Sequence, residues 1–197
     1  MFANRFTIVV NACVLVRVLP RNIILSLAEA GLFRPRWSET ILEEMERALR
    51  DKIYKGKDNA AELAATQRAR ISTAFDEALV HDYEACLPVD IKLPDDNDRH
   101  VIAAAIKVGA SVIVTDNIKD FPIDVLAPLD IEVKTADDFI ADTLDLPEGH
   151  REAVAAIRKM RERLKLPEIT AKELLLRMEG NGLLDSANVL RDHVDML

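Results

Sequence analysis

The chain has 197 residues, of which 49% are hydrophobic, 30% charged and 5% aromatic, with a formal net charge of −8. This is apolar material for one core of roughly 100 to 150 residues plus a small annex. No run approaches the ~20 consecutive apolar residues of a membrane span, and the sparse aromatics with abundant Ala, Ile, Leu and Val argue against an all-β sandwich in favour of helices on a buried parallel sheet.

Cys13 and Cys86 match no CxxC or His-containing zinc spacing, so they read as buried small hydrophobes in a reducing, cytoplasmic setting. The opening MFANRFTIVVNACVLV is not a secretory leader: Asn11 interrupts it, Arg17 and Arg21 follow, and no small-residue cleavage site appears. The charge is unevenly placed. Residues 1 to 60 carry 10 basic and 7 acidic side chains, residues 61 to 150 carry 7 and 19, and residues 151 to 197 carry 9 and 8. An acidic middle beside a basic N-terminal segment suits a metal-dependent phosphodiesterase, whose bound cations reverse the sign of the pocket. A merely solubilising acidic surface is the competing explanation.

In chain order, FTIVVNACVLV (6–16) reads as a buried strand ending near Asn11, and residues 20–31 as a helix stopped by Gly31. A second helix opens at WSETILEEMERALRDK, with Thr40 and Glu43 as a capping box. Residues 58–79 form a long Ala-rich helix, and HDYEACLPVDI a strand or extended segment closing before Pro88. Pro94 and the Asp95, Asn97, Asp98 cluster mark a loop and helix cap, VIAAAIKV a buried helix ended by Gly109, and SVIVT the next buried strand. DIEVKT (130–135) is a further short strand before the helix DDFIADTL. After Pro147 only helices follow: EGHREAVAAIRKMRERLK, then TAKE as a capping box at Thr170 and Glu173, and a last helix LLDSANVLRDH. Strands alternating with helices imply a parallel sheet that binds ligands at the carboxyl ends of its strands.

That edge gathers Asn11, the Asp95, Asp96 and Asp98 group, and Asp116, Asn117 and Asp120, with Glu43, Glu44 and Glu46 on the second helix. Mg²⁺ and Mn²⁺ take oxygen ligands and need few protein carboxylates. Singly, each Asp here is more often a cap or turn residue, and it is the shared edge that favours a site. His81 and His100 lack a second His at ligand spacing, so a structural role is the stronger reading for both.

The segments IVVNACVLV, WSETILEEMERAL, DNDRHVIAAAIKVGA and SVIVTDNIKDFP, spanning roughly residues 5 to 140, resemble the PIN-domain ribonucleases, particularly the VapC toxins of type II toxin–antitoxin systems. The helical annex resembles the extension of one subgroup. The resemblance implies a three-layer α/β/α fold with a PIN-like domain over 1–145 and a helical extension over 146–197. It implies hydrolysis of RNA phosphodiesters with Mg²⁺ or Mn²⁺, a cognate antitoxin, a homodimer, and no membrane association. It implies a catalytic set of Asn11, Glu44, Asp98, Asn117 and Asp120, with metal on Asn11, Asp98 and Asp120 and with Thr115 orienting the ligands. Arg17 and Arg47 are the leading candidates for RNA contacts, with Arg21, Arg34, Arg36, Lys52, Lys55 and Lys57 behind them. Two departures stand out: the first position is Asn11 where the family has Asp, and the fourth reads TDN.

An amide oxygen can ligate but brings no charge and cannot act as a base, so Asn11 is expected to weaken metal binding and water activation. A haloacid-dehalogenase phosphatase fails because Asn11, Ala12 and Cys13 lack both of its acids, and a response-regulator receiver fails on the order of its acids and Lys. The rival from another class is a PIN-like module that binds RNA or protein without cleaving.

Overall fold

The computed structural model describes residues 6–87, 91–165 and 167–197. In chain order the regular elements are β1 (Thr7–Val10), α1 (Ala12–Val16), α2 (Val18–Glu29), β2 (Arg34–Ser38), α3 (Glu39–Ala48), α4 (Ala60–Ala74) and β3 (Leu79–Val80). Then come α5 (Arg99–Val108), β4 (Val112–Val114), α6 (Ile123–Leu126), β5 (Glu132–Lys134), α7 (Ala136–Asp145), α8 (His150–Arg163), α9 (Ala171–Gly180) and α10 (Leu184–Arg191). Contacts divide the described chain into two units, one built from residues 6–16 and 35–133, the other from 17–34 and 134–197.

The first unit is α/β, as the alternation of strands and helices predicts. Its sheet runs β3-β2-β1-β4-β5. The ladders are parallel, with Ile8, Val9 and Val10 opposite Val112, Ile113 and Val114, and with Trp37 and Ser38 opposite Leu79 and Val80. Ile8, Val9, Val10, Ile113 and Val114 are wholly buried, which is why both central strands read as unbroken apolar runs. At the β5 edge, Glu132 N donates to Ser111 O at 2.9 Å.

Several boundaries move from their expected places. The run 6–16 splits at Asn11, whose carbonyl accepts from the backbone N–H groups of Val14 and Leu15 and so opens α1. β2 was not expected, because RPRWS carries two arginines and a proline. Only the burial of Trp37 and Ser38 against neighbouring elements makes it a strand. The cap of α3 is Ser38, which accepts from Ile41 N at 3.2 Å, and not Thr40, whose hydroxyl bonds the Tyr83 hydroxyl at 2.7 Å. The α4 helix stops at Ala74, where Phe75 leaves helical geometry (φ −135°, ψ 59°) for a 3-10 turn and then β3. The segment 81–91 expected as extended forms a 3-10 turn at Glu84–Cys86, and its residues 88–90 lie outside the described ones. Gly109 ends α5 as expected, in the left-handed conformation (φ 60°) that satisfies the last carbonyls of a helix.

The second unit is helical. Helix α2 packs with α7 and α8, and α10 with α7 and α9. Phe33 meets Phe139 edge to face at 4.8 Å. The expected capping box at Thr170 and Glu173 is present. No neighbouring side chain caps α10. Asp137 of α7 does so instead, its two carboxylate oxygens accepting from Asp185 N and Ser186 N, each at 2.9 Å. Among the described residues no helix is long and apolar enough to cross a membrane.

Candidate active site

The strand order reverses beside β1, where β2 lies on one side and β4 on the other. In open α/β sheets the loops diverge at such a point, leaving a crevice at the carboxyl ends of the strands. Asn11 is the first residue past β1 and Thr115 the first past β4. Both are buried, and Asn11 Nδ2 donates to Thr115 Oγ1 at 3.2 Å. The amide oxygen of Asn11 is taken by the backbone N–H of Ala12 at 2.6 Å. Thr115 Oγ1 also accepts from Asn117 N at 3.2 Å, which places the exposed Asn117 at the lip of the crevice. The chain then turns once more, Asp120 N donating to Asn117 O at 3.0 Å.

Cys13 belongs to this network, and sequence reasoning missed it. It is half-buried, not buried, and its Sγ lies 3.3 Å from Thr115 Oγ1 and accepts from Asp116 N at 3.4 Å. Burial pushes its thiol above the ordinary range, with the Thr115 hydrogen bond opposing. A thiol shifted in this direction holds its proton and is a poor nucleophile. Cys86 is likewise half-buried.

A second group of side chains converges from α3 and the start of α5. The buried residues Ile41, Leu42 and Met45 set the inward face of α3. Glu43 is exposed, Glu46 binds Arg68 at 2.9 Å, and Glu44 turns toward α5, its Oε1 3.3 Å from His100 Nε2. Asp98 sits at the base of α5, after a 3-10 turn that Asp95 caps by accepting from Asn97 N at 2.9 Å. Its carboxyl is pushed up to about 6, first by loss of solvent and then by the like charges of Asp120, Asp95 and Glu44, with His100 opposing. Asp98 therefore feels the charges of Asp120, Asp95 and Glu44.

Among the described residues, no three His, Cys, Asp or Glu side chains converge into a finished ion-holding cluster. The donor set nonetheless suits a hard divalent cation. Mg²⁺ and Mn²⁺ bind through one or two carboxylates with waters completing the shell, and a cation would relieve the repulsion that raises Asp98. Asn11, past the end of β1, has both ends of its amide already hydrogen-bonded.

The two arginines singled out for RNA differ in setting. Arg47 is exposed on α3. Arg17 belongs to the helical unit, where its guanidinium donates to the Asn181 carbonyl. A cavity of about 830 Å³ lies along β5, lined mainly by Ile118, Phe121, Pro122, Ile123, Leu126 and Ile131. None of Asn11, Glu44, Asp98, Asn117 or Asp120 lines it.

Comparison with known proteins bears on this geometry. A family model described as PIN domain matches residues 7–119, which is the segment carrying Asn11, Glu44, Asp98, Thr115 and Asn117. The chain belongs to the PIN-domain family. Membership carries with it the three-layer α/β/α class expected from the sequence. A second model, described as VapC50 C-terminal domain, matches residues 136–192, within the helical unit of this PIN-domain protein. A curated protein of Mycobacterium tuberculosis, named "Putative ribonuclease VapC50", is 53% identical over 57 residues, which are 29% of this chain. The match covers 34% of that protein, so the chain spans about a third of the length of the curated relative it matches. No solved structure matches the chain significantly.

Proposed function

We propose that this chain is a metal-dependent endoribonuclease toxin of the VapC kind, with a nuclease part over residues 1–145 and a helical extension over 146–197, weakened at its metal centre by Asn11. The observation that carries the reading is the meeting of α3 and the start of α5, where Glu44 lies 3.3 Å from His100 and Asp98 stands two residues before it, its carboxyl raised by loss of solvent and then by Asp120, Asp95 and Glu44. A metal-dependent phosphodiesterase needs such a concentration of oxygen donors in a crevice. Membership of the PIN family and the partial identity to a protein named as a ribonuclease support the same chemistry.

In this reading Asp98 and Asp120 hold the Mg²⁺ or Mn²⁺, and Asn11 contributes at most an amide oxygen. When bound, the cation supplies an activated water and neutralises charge on the phosphate. Glu44 completes the negative wall of the pocket. Thr115 fixes the side chain at position 11 and the backbone at Asn117. Asn117 at the lip and Arg47 on the outer face of α3 meet the RNA, Arg47 through its phosphates. Arg17, on the helical unit, is a separate candidate for phosphate contacts. A cognate antitoxin would neutralise the toxin, a homodimer is its working state, and the cytoplasm is its place.

A second reading, a PIN module that binds RNA or protein without cutting, is favoured by one feature. The Asn11 amide is hydrogen-bonded at both its nitrogen and its oxygen within the protein and, being neutral, brings no charge to a metal. One experiment separates the two: RNA cleavage by the chain and by Asn11→Asp across a Mn²⁺ titration, with Asp98→Ala added to Asn11→Asp as control. Cleavage that appears with Asn11→Asp and vanishes with Asp98→Ala supports the nuclease. An Asn11→Asp protein that binds Mn²⁺ and leaves RNA intact supports the non-cleaving module.

A further inference from the structure

We infer that His100 is a positioning residue of the metal centre: its Nε2–H holds the Glu44 carboxylate in place, tying α3 to the start of α5. The inference rests on the reading of Asp98 and its neighbours as a metal site, and extends it to a residue that is not itself a ligand.

The geometry assigns the tautomer. His100 Nε2 lies 3.3 Å from Glu44 Oε1, and the His100 side chain is 12% exposed. Its Nδ1 is buried and has no hydrogen-bond partner. An imidazolium donates from Nε2 in any case; a neutral imidazole carries one N–H and one lone pair, so its tautomer has to be assigned. Were the proton on Nδ1, a buried donor would go unsatisfied while the Nε2 lone pair faced a carboxylate oxygen, two unfavourable contacts at once. With the proton on Nε2 the ring donates to Glu44, and the unpartnered Nδ1 lone pair is the single unmet group. The ring is thus set as a donor to Glu44.

The consequence is positional. Glu44 is about 29% exposed, so part of its carboxylate reaches solvent, while His100 occupies Oε1. His100 thereby anchors one carboxylate oxygen of Glu44. His100 is two residues past Asp98, so the same first turn of α5 carries a carboxylate of the pocket and the donor that aligns a second one from another helix. Residues that orient metal-site carboxylates in this way affect metal affinity although they do not touch the ion.

The test measures Mn²⁺ dissociation constants by electron paramagnetic resonance on the full chain carrying Asn11→Asp. His100→Leu removes the donor and should weaken Mn²⁺ about tenfold. His100→Gln, whose amide nitrogen reaches the place of Nε2, should recover most of that loss, and His100→Asn, whose amide reaches only the place of Nδ1, should not. In a Glu44→Gln background, His100→Leu should cause no further weakening. The inference is overturned if His100→Leu weakens Mn²⁺ equally with and without Glu44→Gln, or if Gln rescues no better than Asn. If Leu prevents folding, the Gln and Asn pair carries the comparison alone. Asp98→Ala marks the other failure: if it leaves Mn²⁺ binding unchanged, the metal-site reading falls and the role of His100 with it.

Discussion

Asn11 Nδ2 donates to Thr115 Oγ1 across 3.2 Å, joining the carboxyl ends of the two central strands, β1 and β4, by a buried side-chain hydrogen bond. The same threonine oxygen accepts from Asn117 N and lies beside Cys13 Sγ. Thr115→Val keeps the shape and deletes every one of these bonds. The Asn11 amide would then be a buried donor without a partner, which costs about 1–3 kcal/mol. Urea denaturation should show that loss with an unchanged m-value. A Thr115→Val protein as stable as the parent would mean that the bond contributes nothing.

The helical unit makes a similar prediction through Asp137. Its carboxylate accepts from Asp185 N, Ser186 N and, at 2.6 Å, Ser186 Oγ, so one side chain of α7 does the work of a cap for α10. Ser186 is wholly buried. Asp137→Ala should cost about 2 kcal/mol, since it removes a charged cap and strands buried donors. Asp137→Asn keeps an acceptor and should lose roughly half as much. Hydrogen exchange in residues 184–191 is the sharper measurement, because loss of the cap frees the first turn of α10 ahead of the rest.

These two bonds also mark the limit of what the sequence discloses. β1, α5 and β4 were legible because each is a run whose period or burial is continuous and whose end is punctuated, by Asn11 or by Gly109. β2 was not, since nothing local in RPRWS asks for a strand and the reason lies in what Trp37 packs against. The carboxylates were legible as residue types placed at strand ends and helix starts. Their partners were not. Asn11 and Thr115 are 104 residues apart, Glu44 and His100 are 56 apart, and Asp137 and Ser186 are 49 apart. Cys13 looked like one more apolar residue in an apolar run until the fold set it against Thr115.

Asn11→Asp tests the charge of the pocket apart from catalysis. The buried site already offers the new carboxylate a donor in Ala12 N, and the Thr115 hydroxyl can turn to donate as well. Fold and melting temperature should therefore change little. Mn²⁺ affinity should rise about tenfold or more, each factor of ten being worth about 1.4 kcal/mol. Calorimetry on both proteins measures the difference, and equal affinities would remove Asn11 from the metal centre.

Asp98 has its carboxyl raised from 3.8 to about 6, so in the metal-free protein its neutral form is favoured by folding. For a carboxyl raised in the folded state, the stabilisation is full below the unfolded value near 3.8 and is lost as pH climbs through 6. Stability should thus fall between pH 4 and pH 7 by about 1–2 kcal/mol, the full shift being discounted because Asp98 is only half-buried and solvent screens its charge. Other groups titrate across the same window, so the measurement is the difference between the parent and Asp98→Asn in urea melts with chelator present. The two should be nearly equal at pH 4, with Asp98→Asn the more stable by that amount at pH 7. Divalent metal reverses the slope, because the cation and the proton compete for the same carboxylate. Mn²⁺ affinity should rise roughly tenfold per pH unit up to about 6 and level off above it. Parallel stability profiles for the two proteins from pH 4 to pH 7 would show that Asp98 is not crowded by its neighbours, and the electrostatic case for the metal centre would go with it.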